Sequence, residues 1–271
     1  MIDAATRLYC VFGNPVRHSK SPVIHNAAFK HKGINAVYLA FEVQDAGNAI
    51  QAMRTLGIQG ASVTIPFKES IMEHIDWIDP TAQAIGAVNT IVHEDGVLKG
   101  YNTDCQAAVA PLVPFGISGK TVCIVGAGGA ARAVAHGISA QNGDIIITNR
   151  TEQKGQALAE RVNARFIPAN EMAHIQADVV VNTTSIGMIP KADKISFPPD
   201  ALTSDMVVMD VVYTPLRTRL LEAAEQKGCT TIDGLSMFIA QAAAQFELWT
   251  GITPDTDLMR NTIINDKRRT S

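Results

Sequence analysis

The chain has 271 residues, 46% hydrophobic and 18% charged, with 23 Lys and Arg against 26 Asp and Glu for a net charge of −3. At roughly 150 residues per domain, this length suits about two domains, and the apolar fraction excludes an intrinsically disordered chain. No bulk basic field is present to hold nucleic acid or an anionic membrane, and no apolar run reaches the ~18 residues of a membrane span.

The opening MIDAATRLYCVFG carries an acid at Asp3 and passes straight into a strand-like run, which does not read as a signal peptide. That strand ends at Gly13. A helix is predicted over SPVIHNAAFKHKG, with Ser21 as N-cap, Pro22 at the first helical position and Gly33 past the end. AVYLAFEV, a helix over residues 45–56, and GASVTIP continue a β-α-β rhythm, and TIVHEDGVLKGY reads as two strands joined around Asp95-Gly96. A second block opens near residue 118. The run SGKTVCIVGAGGAARAVAHGISAQNG combines an apolar strand, a Gly turn and an Ala-rich helix. DIIITNR, ADVVVNTT and MVVMDVVY are further strands, with TEQKGQALAERVN a helix after the first of them. Their continuous Val/Ile runs suit strands buried on both faces, as in a parallel sheet covered by helices. From Gly234 onward two helices are expected, SMFIAQAAAQFELWTG and PDTDLMRNTIINDKRR. Four scattered cysteines, Cys10, Cys105, Cys123 and Cys229, form no CxxC and no Cys/His cluster, so a reduced, cytoplasmic, metal-free protein is expected.

Gly126-Ala127-Gly128-Gly129-Ala130-Ala131 fits G-x-G-x-x-A directly after a strand and at the start of a helix, the context a dinucleotide site requires. Gly126 serves the tight turn, Gly128 admits a pyrophosphate, and Ala131 lets helix and strand pack closely. The next strand ends Thr148-Asn149-Arg150-Thr151, with Lys154 a turn into the helix. An Asp or Glu there would mark NAD. Arg150 with Lys154 instead suits a 2′-phosphate, with Asn149 at the ribose or adenine and Thr151 capping the helix, so NADP is the expected cofactor. The blander alternative is a solvated Arg and Lys on a helix start.

Several further segments together resemble the shikimate dehydrogenases. They are Gly13-Asn14-Pro15, His18-Ser19-Lys20-Ser21-Pro22, His25-Asn26, Val63-Thr64-Ile65-Pro66-Phe67-Lys68, Gly86-Ala87-Val88-Asn89-Thr90 and Asn102-Thr103-Asp104. In the second half Asn149-Arg150-Thr151, Asp210-Val211-Val212-Tyr213-Thr214-Pro215, Asp233-Gly234-Leu235, and Gln241-Ala242-Ala243 leading to Phe246-Glu247 also match. The resemblance runs in order over nearly the whole chain. It implies NADPH-dependent, reversible reduction of 3-dehydroshikimate to shikimate in aromatic amino acid (chorismate) biosynthesis. It implies an α/β fold: an N-terminal α/β substrate domain (1–104 and 235–271, the C-terminal helices returning to it) and a Rossmann-type doubly wound NADP-binding domain (105–234).

By the same resemblance Lys68 and Asp104 are an acid-base pair at the substrate oxygen that becomes a ketone, where a positioned ammonium supplies the proton. Ser19 and Ser21, at a helix start where a dipole favours anions, would meet the carboxylate. Thr64, Asn89, Tyr213 and Gln241 would complete the substrate contacts, and Val211, Gly234 and Met237 would join the cofactor set. Singly these residues have ordinary readings: a solvated Lys68, a helix-capping Asp104 before Cys105, a core Met237. Gln241 and Gln245 are four apart and share one helix face, as in a simple packing helix. The histidines, His18 and His25 among them, are read as structural.

Two departures from the family pattern lie beside the expected pocket: Ser62 where Asn is frequent, and Cys105-Gln106-Ala107 where Gly-x-Gly is usual. They leave quinate as the alternative substrate. A glutamyl-tRNA-reductase-like enzyme would need a nucleophilic cysteine and a tRNA-binding region, and a non-catalytic sensor would not need both Lys68 and Asp104. The expected partner is therefore the small-molecule substrate, with no nucleic acid and no membrane, in a monomer or homodimer.

Overall fold

A computed structural model describes residues 2–266. The chain divides into two compact units: the segment ending at Thr103 joined by the segment beginning at Ile239, and Asp104–Phe238 between them. Asp104 and the first turn of the long C-terminal helix thus group with the second unit rather than with the expected substrate domain.

In the first unit β1 (Arg7–Gly13), α1 (Ser21–His31), β2 (Ala36–Glu42), α2 (Ala46–Thr55) and β3 (Gly60–Val63) come in turn. β4 (Trp77–Ile78), α3 (Pro80–Ile85), β5 (Thr90–Glu94) and β6 (Val97–Tyr101) follow. The strands form one sheet in the order β2-β1-β3-β5-β6-β4, parallel through β2, β1 and β3 and antiparallel from β3 to β5 to β6. β5 and β6 form the expected hairpin, with Asp95 and Gly96 at φ 51° and 79°, as a tight two-residue turn requires. The α1 cap differs from expectation. Lys20 holds the N-cap position in near-helical geometry and Ser21 is the first helical residue, so the Ser21 N–H is taken by the Ser19 hydroxyl two residues earlier, at 3.3 Å.

The second unit runs α4 (Asp104–Val109), β7 (Thr121–Val125), α5 (Gly129–Ser139), β8 (Asp144–Asn149), α6 (Glu152–Arg161) and β9 (Arg165–Pro168). β10 (Val179–Asn182), β11 (Val207–Asp210), α7 (Arg219–Gln226) and β12 (Thr230–Ile232) complete it. All six strands are parallel, in the order β12-β11-β10-β7-β8-β9. This is a doubly wound sheet whose direction of growth reverses between β7 and β10. β10 and β11 are buried throughout, as is β7 after Thr121, matching their unbroken apolar runs.

α8 (Gly234–Thr250) begins in the second unit, and α9 (Thr256–Ile264) belongs to the first; residues 267–269 of the expected last helix lie outside the described residues. Trp249 anchors α8 to the first sheet: its indole N–H donates to Ile91 O at 2.9 Å, and its ring packs against Tyr9, His25 and Tyr38. Gly60 makes this possible, because a Cβ there would sit 2.4 Å from the indole nitrogen. Lys20 pairs with Asp266 at 3.2 Å, tying the start of α1 to the segment after α9.

Candidate substrate and cofactor sites

The first unit holds Ser19, Ser21, Thr64, Lys68, Asn89 and Gln241 of the predicted substrate residues; Asp104 and Tyr213 fall in the second. A chain of hydrogen bonds organises this half. Phe67 N–H donates to Thr64 O at 3.0 Å, forming a turn just past β3, and Val88 N–H donates to Lys68 O at 2.8 Å. The next residue, Asn89, is buried. Its Oδ1 accepts Thr103 N–H at 2.8 Å, and its Nδ2 donates to Thr103 Oγ1 at 3.0 Å. Asp104, itself buried, follows directly and opens α4 rather than capping a helix that starts at Cys105. The backbone therefore strings Lys68, Asn89 and the residue before Asp104 onto one connected scaffold.

Thr64, Lys68, Ser19 and Gln241 are half-buried and Ser21 is buried. Ser19 Oγ accepts the Ser21 N–H, so its hydroxyl hydrogen remains directed by whatever oxygen approaches the helix start.

Gln245, which sequence reasoning treated only as a partner on the Gln241 face, is fully engaged inside the unit. Its Nε2 donates to Asn89 O at 3.2 Å and Thr90 Oγ1 at 3.0 Å, and its Oε1 accepts Ser62 Oγ at 2.6 Å. Tyr38 O–H donates to Ser62 at 2.6 Å. Ser62, the departure from the family pattern, is thus the middle of a buried relay. Nothing local in the sequence connects Ser62 to Tyr38 or to Gln245, which lie 24 and 183 positions away.

In the second unit Gly126, at φ 124°, turns the chain after β7 against Thr183, whose hydroxyl donates to Val125 O at 2.7 Å. This is the β7/β10 reversal, the crevice where doubly wound sheets bind ligands. α5 follows with Gly128 as N-cap and no side chain satisfying its first N–H groups. A Cβ built on Gly128 meets nothing within 4 Å, so open space stands before those donors. Free N–H groups, the helix dipole and a vacant approach fit a dinucleotide pyrophosphate. Asn149 ends β8, the neighbour of β7, and Arg150, Thr151 and Lys154 follow it; Arg150 and Lys154 are both exposed cations. Thr151 holds the N-cap position of α6 without a side-chain cap bond, correcting that expectation; Asn149 Nδ2 instead donates to Thr151 O at 2.8 Å. On the other side of the reversal Gly234 lies so close to the Val211 and Val212 backbone that a Cβ would come within 2.6 Å of it. Met237 is buried, and Tyr213 stacks on Phe238 with centroids 4.2 Å apart.

A residue given no role from sequence organises that edge. Asp210 is fully buried and accepts Asn182 Nδ2 at 2.9 Å, Val212 N–H at 2.9 Å and Thr218 Oγ1 at 2.7 Å. Burial pushes its carboxyl up to about 6 against the pull of those donors. It clamps the loop carrying Val211 and Tyr213. The described residues contain no group of three or more His, Cys, Asp or Glu able to hold a metal. Burial pushes the Cys10 thiol above the usual range and that of Cys123 up to about 12, away from nucleophilic character. A pocket of about 640 Å³ opens where β7, β10 and β11 begin, but its carboxylates are engaged: Asp178 by Thr121 N–H, Asp205 by the Thr203 hydroxyl. No helix of the described residues is long and apolar enough to cross a membrane.

Comparison with known proteins adds to this geometry. Residues 11–91 match the shikimate dehydrogenase substrate binding domain, 108–213 the shikimate / quinate 5-dehydrogenase family, and 234–264 the shikimate 5'-dehydrogenase C-terminal domain. The chain is 45% identical over 267 residues to the shikimate dehydrogenase (NADP(+)) of Thermococcus kodakarensis, covering 96% of this chain and 97% of that one. Among solved structures, a shikimate dehydrogenase in complex with NADP+ superposes with a TM-score of 0.92 at 44% identity, over 98% of this chain and 97% of that one. A quinate dehydrogenase from Corynebacterium glutamicum, in complex with NAD, reaches 0.88 at 32% identity, over 96% and 99%.

Proposed function

The chain belongs to the shikimate dehydrogenase family, and on that premise we propose that it catalyses the NADP-dependent, reversible reduction of 3-dehydroshikimate to shikimate in aromatic amino acid biosynthesis. The supporting observation is likeness to NADP(+) shikimate dehydrogenases over nearly the whole chain, with Lys68 and Asp104 both present.

The β7–α5 turn, with Arg150 and Lys154, would hold the nicotinamide cofactor, which when bound would supply a hydride to the carbonyl carbon. Lys68 gives the carbonyl oxygen its proton as negative charge develops there. Asp104 orients the Lys68 ammonium and accepts a hydrogen bond from a neighbouring ring hydroxyl. Asn89, Thr64, Gln241 and Tyr213 orient the other polar groups, and Ser19 and Ser21 receive the carboxylate beside the α1 N-terminus. In the reverse direction Lys68 acts as the base. The reading includes a cytoplasmic monomer or homodimer; four free, buried cysteines support a reducing location.

Quinate is the second reading, favoured by the likeness to a quinate dehydrogenase and by Ser62. Following reduced-nicotinamide absorbance with shikimate and quinate, each with NADP+ and NAD+, separates the two. Shikimate with NADP+ should give the highest kcat/KM; a preference for quinate, or turnover of neither acid, overturns the proposal.

A further inference from the structure

We propose that Gln245 is a positioning residue that makes Asn89 a hydrogen-bond donor, and only a donor, to the substrate. The proposal rests on the reading above that Asn89 lines the substrate site.

Two backbone groups set the direction of the Gln245, Ser62 and Asn89 hydrogen bonds, while the Thr103 hydroxyl lies 3.3 Å from Asn89 Oδ1 as a longer donor to the same oxygen. Asn89 O can only accept, so the Gln245 atom 3.2 Å away is the amide nitrogen, and the Gln245 oxygen faces Ser62. Ser62 must then donate to that oxygen and accept from Tyr38. The second Gln245 N–H goes to Thr90 Oγ1, so the Thr90 hydrogen is sent onward to Asn89 Oδ1 at 2.7 Å. At the far end Thr103 N–H can only donate, and it meets the same Asn89 oxygen at 2.8 Å.

Both lone pairs of Asn89 Oδ1 are therefore filled. One Nδ2 hydrogen goes to Thr103 Oγ1 at 3.0 Å, leaving the other as the group Asn89 offers a ligand among the described residues. Tyr38, Ser62, Asn89, Thr90, Thr103 and Gln245 are all buried, so water does not reach the network to reshuffle it. The ligand atom at Asn89 must be an oxygen that accepts. If that atom is a hydroxyl, its own hydrogen must go to a separate acceptor such as a carboxylate. Releasing Thr90 from Gln245 would let the Thr90 hydroxyl turn away, restore an acceptor lone pair on Asn89 and blunt this polarity.

The test compares kcat/KM for shikimate and for analogues each lacking one ring hydroxyl. The wild type, Asn89→Ala, Gln245→Glu, Thr90→Val and Thr90→Ser are assayed. Gln245→Glu keeps shape but replaces the amide donor; Thr90→Val removes the hydroxyl at similar volume, and Thr90→Ser retains it. The wild type should disfavour one analogue by about tenfold or more, the scale of one good hydrogen bond. Asn89→Ala, Gln245→Glu and Thr90→Val should each shrink that ratio by about threefold or more. Thr90→Ser should keep it, and KM for NADP should stay unchanged throughout. If Asn89→Ala shrinks the ratio while Gln245→Glu and Thr90→Val retain it, the proposal is overturned. If Asn89→Ala leaves every ratio unchanged, the placement of Asn89 at the substrate fails and takes this proposal with it. Should Gln245→Glu not fold, the contrast between Thr90→Val and Thr90→Ser decides.

Discussion

Val88 N–H donates to the carbonyl oxygen of Lys68 at 2.8 Å, fixing the segment that carries the ammonium one residue from Asn89. Asn89 in turn holds Thr103, the residue before Asp104. Lys68 and Thr103, 35 positions apart in sequence, are thus tied to one framework within the first unit. Lys68→Ala should lower kcat by about 10²–10⁴-fold while KM changes far less, because its proton is needed only as charge develops. Asp104→Ala should depress kcat and raise KM together. The double variant should be much less impaired than the product of the single losses, since the two act as a unit. Steady-state kinetics in both directions checks this. An unchanged kcat in folded Lys68→Ala would remove Lys68 from catalysis.

The proposed site gives Arg150 the choice between the two cofactors. A charge-assisted hydrogen bond contributes roughly 1.5–3 kcal/mol, so Arg150→Ala should cost on the order of 10- to 100-fold in kcat/KM with NADP. The loss with NAD should be much smaller. Equal losses with the two cofactors would make Arg150 a structural residue.

His25 should make the fold acid-sensitive. It is fully buried with neither ring nitrogen hydrogen-bonded, and it stacks on Tyr38 at 4.5 Å. Burial drives its pKa down to about 3, with Gln245 a weaker influence upward. The unfolded chain takes up a proton near pH 6.5 and the folded one does not. This contribution is therefore complete above about pH 6.5 and is lost as pH falls toward 3, by up to about 1.4 kcal/mol per unit. Urea unfolding near pH 7.5 and near pH 5 should show a stability loss that His25→Phe reduces by roughly 2 kcal/mol. An identical loss in the two proteins would place the acid sensitivity elsewhere.

Gly60 and Trp249 should be energetically coupled. A methyl group at Gly60 collides with an indole that its bond to Ile91 O holds in place. Overpacking of this kind costs about 1–3 kcal/mol, so Gly60→Ala should lower the thermal midpoint by several degrees. In a Trp249→Leu background the same change should cost much less. Additive losses would show that the ring yields freely.

The sheet of the second unit was legible because its signals are local. Unbroken Val and Ile runs need two covered faces, and Gly126 and Gly128 stand where a strand must turn into a helix before an anion. The short edge strands β4, β9 and β12 escaped notice, since two to four half-exposed residues carry no period. α3 and α7 lay in stretches given no element. Lys68 and Asp104 are assigned by resemblance rather than by chemistry, because one Lys or one Asp has no pattern of its own, whereas Ser19 and Ser21 also stand at a helix start that favours an anion.

Residue order determined the α/β class, the nucleotide turn and the residues available for catalysis. Folding alone determined their partners. Ser62 and Gln245 are 183 positions apart, and Trp249 lies 158 from the carbonyl it binds. The Ser21 cap failed for a related reason: capping depends on the φ and ψ of the preceding residue, which Lys20 takes in a nearly helical state. Periodicity reports which face of an element is apolar. Which donor meets which acceptor depends on the order in which strands pair, and that order is set only when distant segments close on a common core.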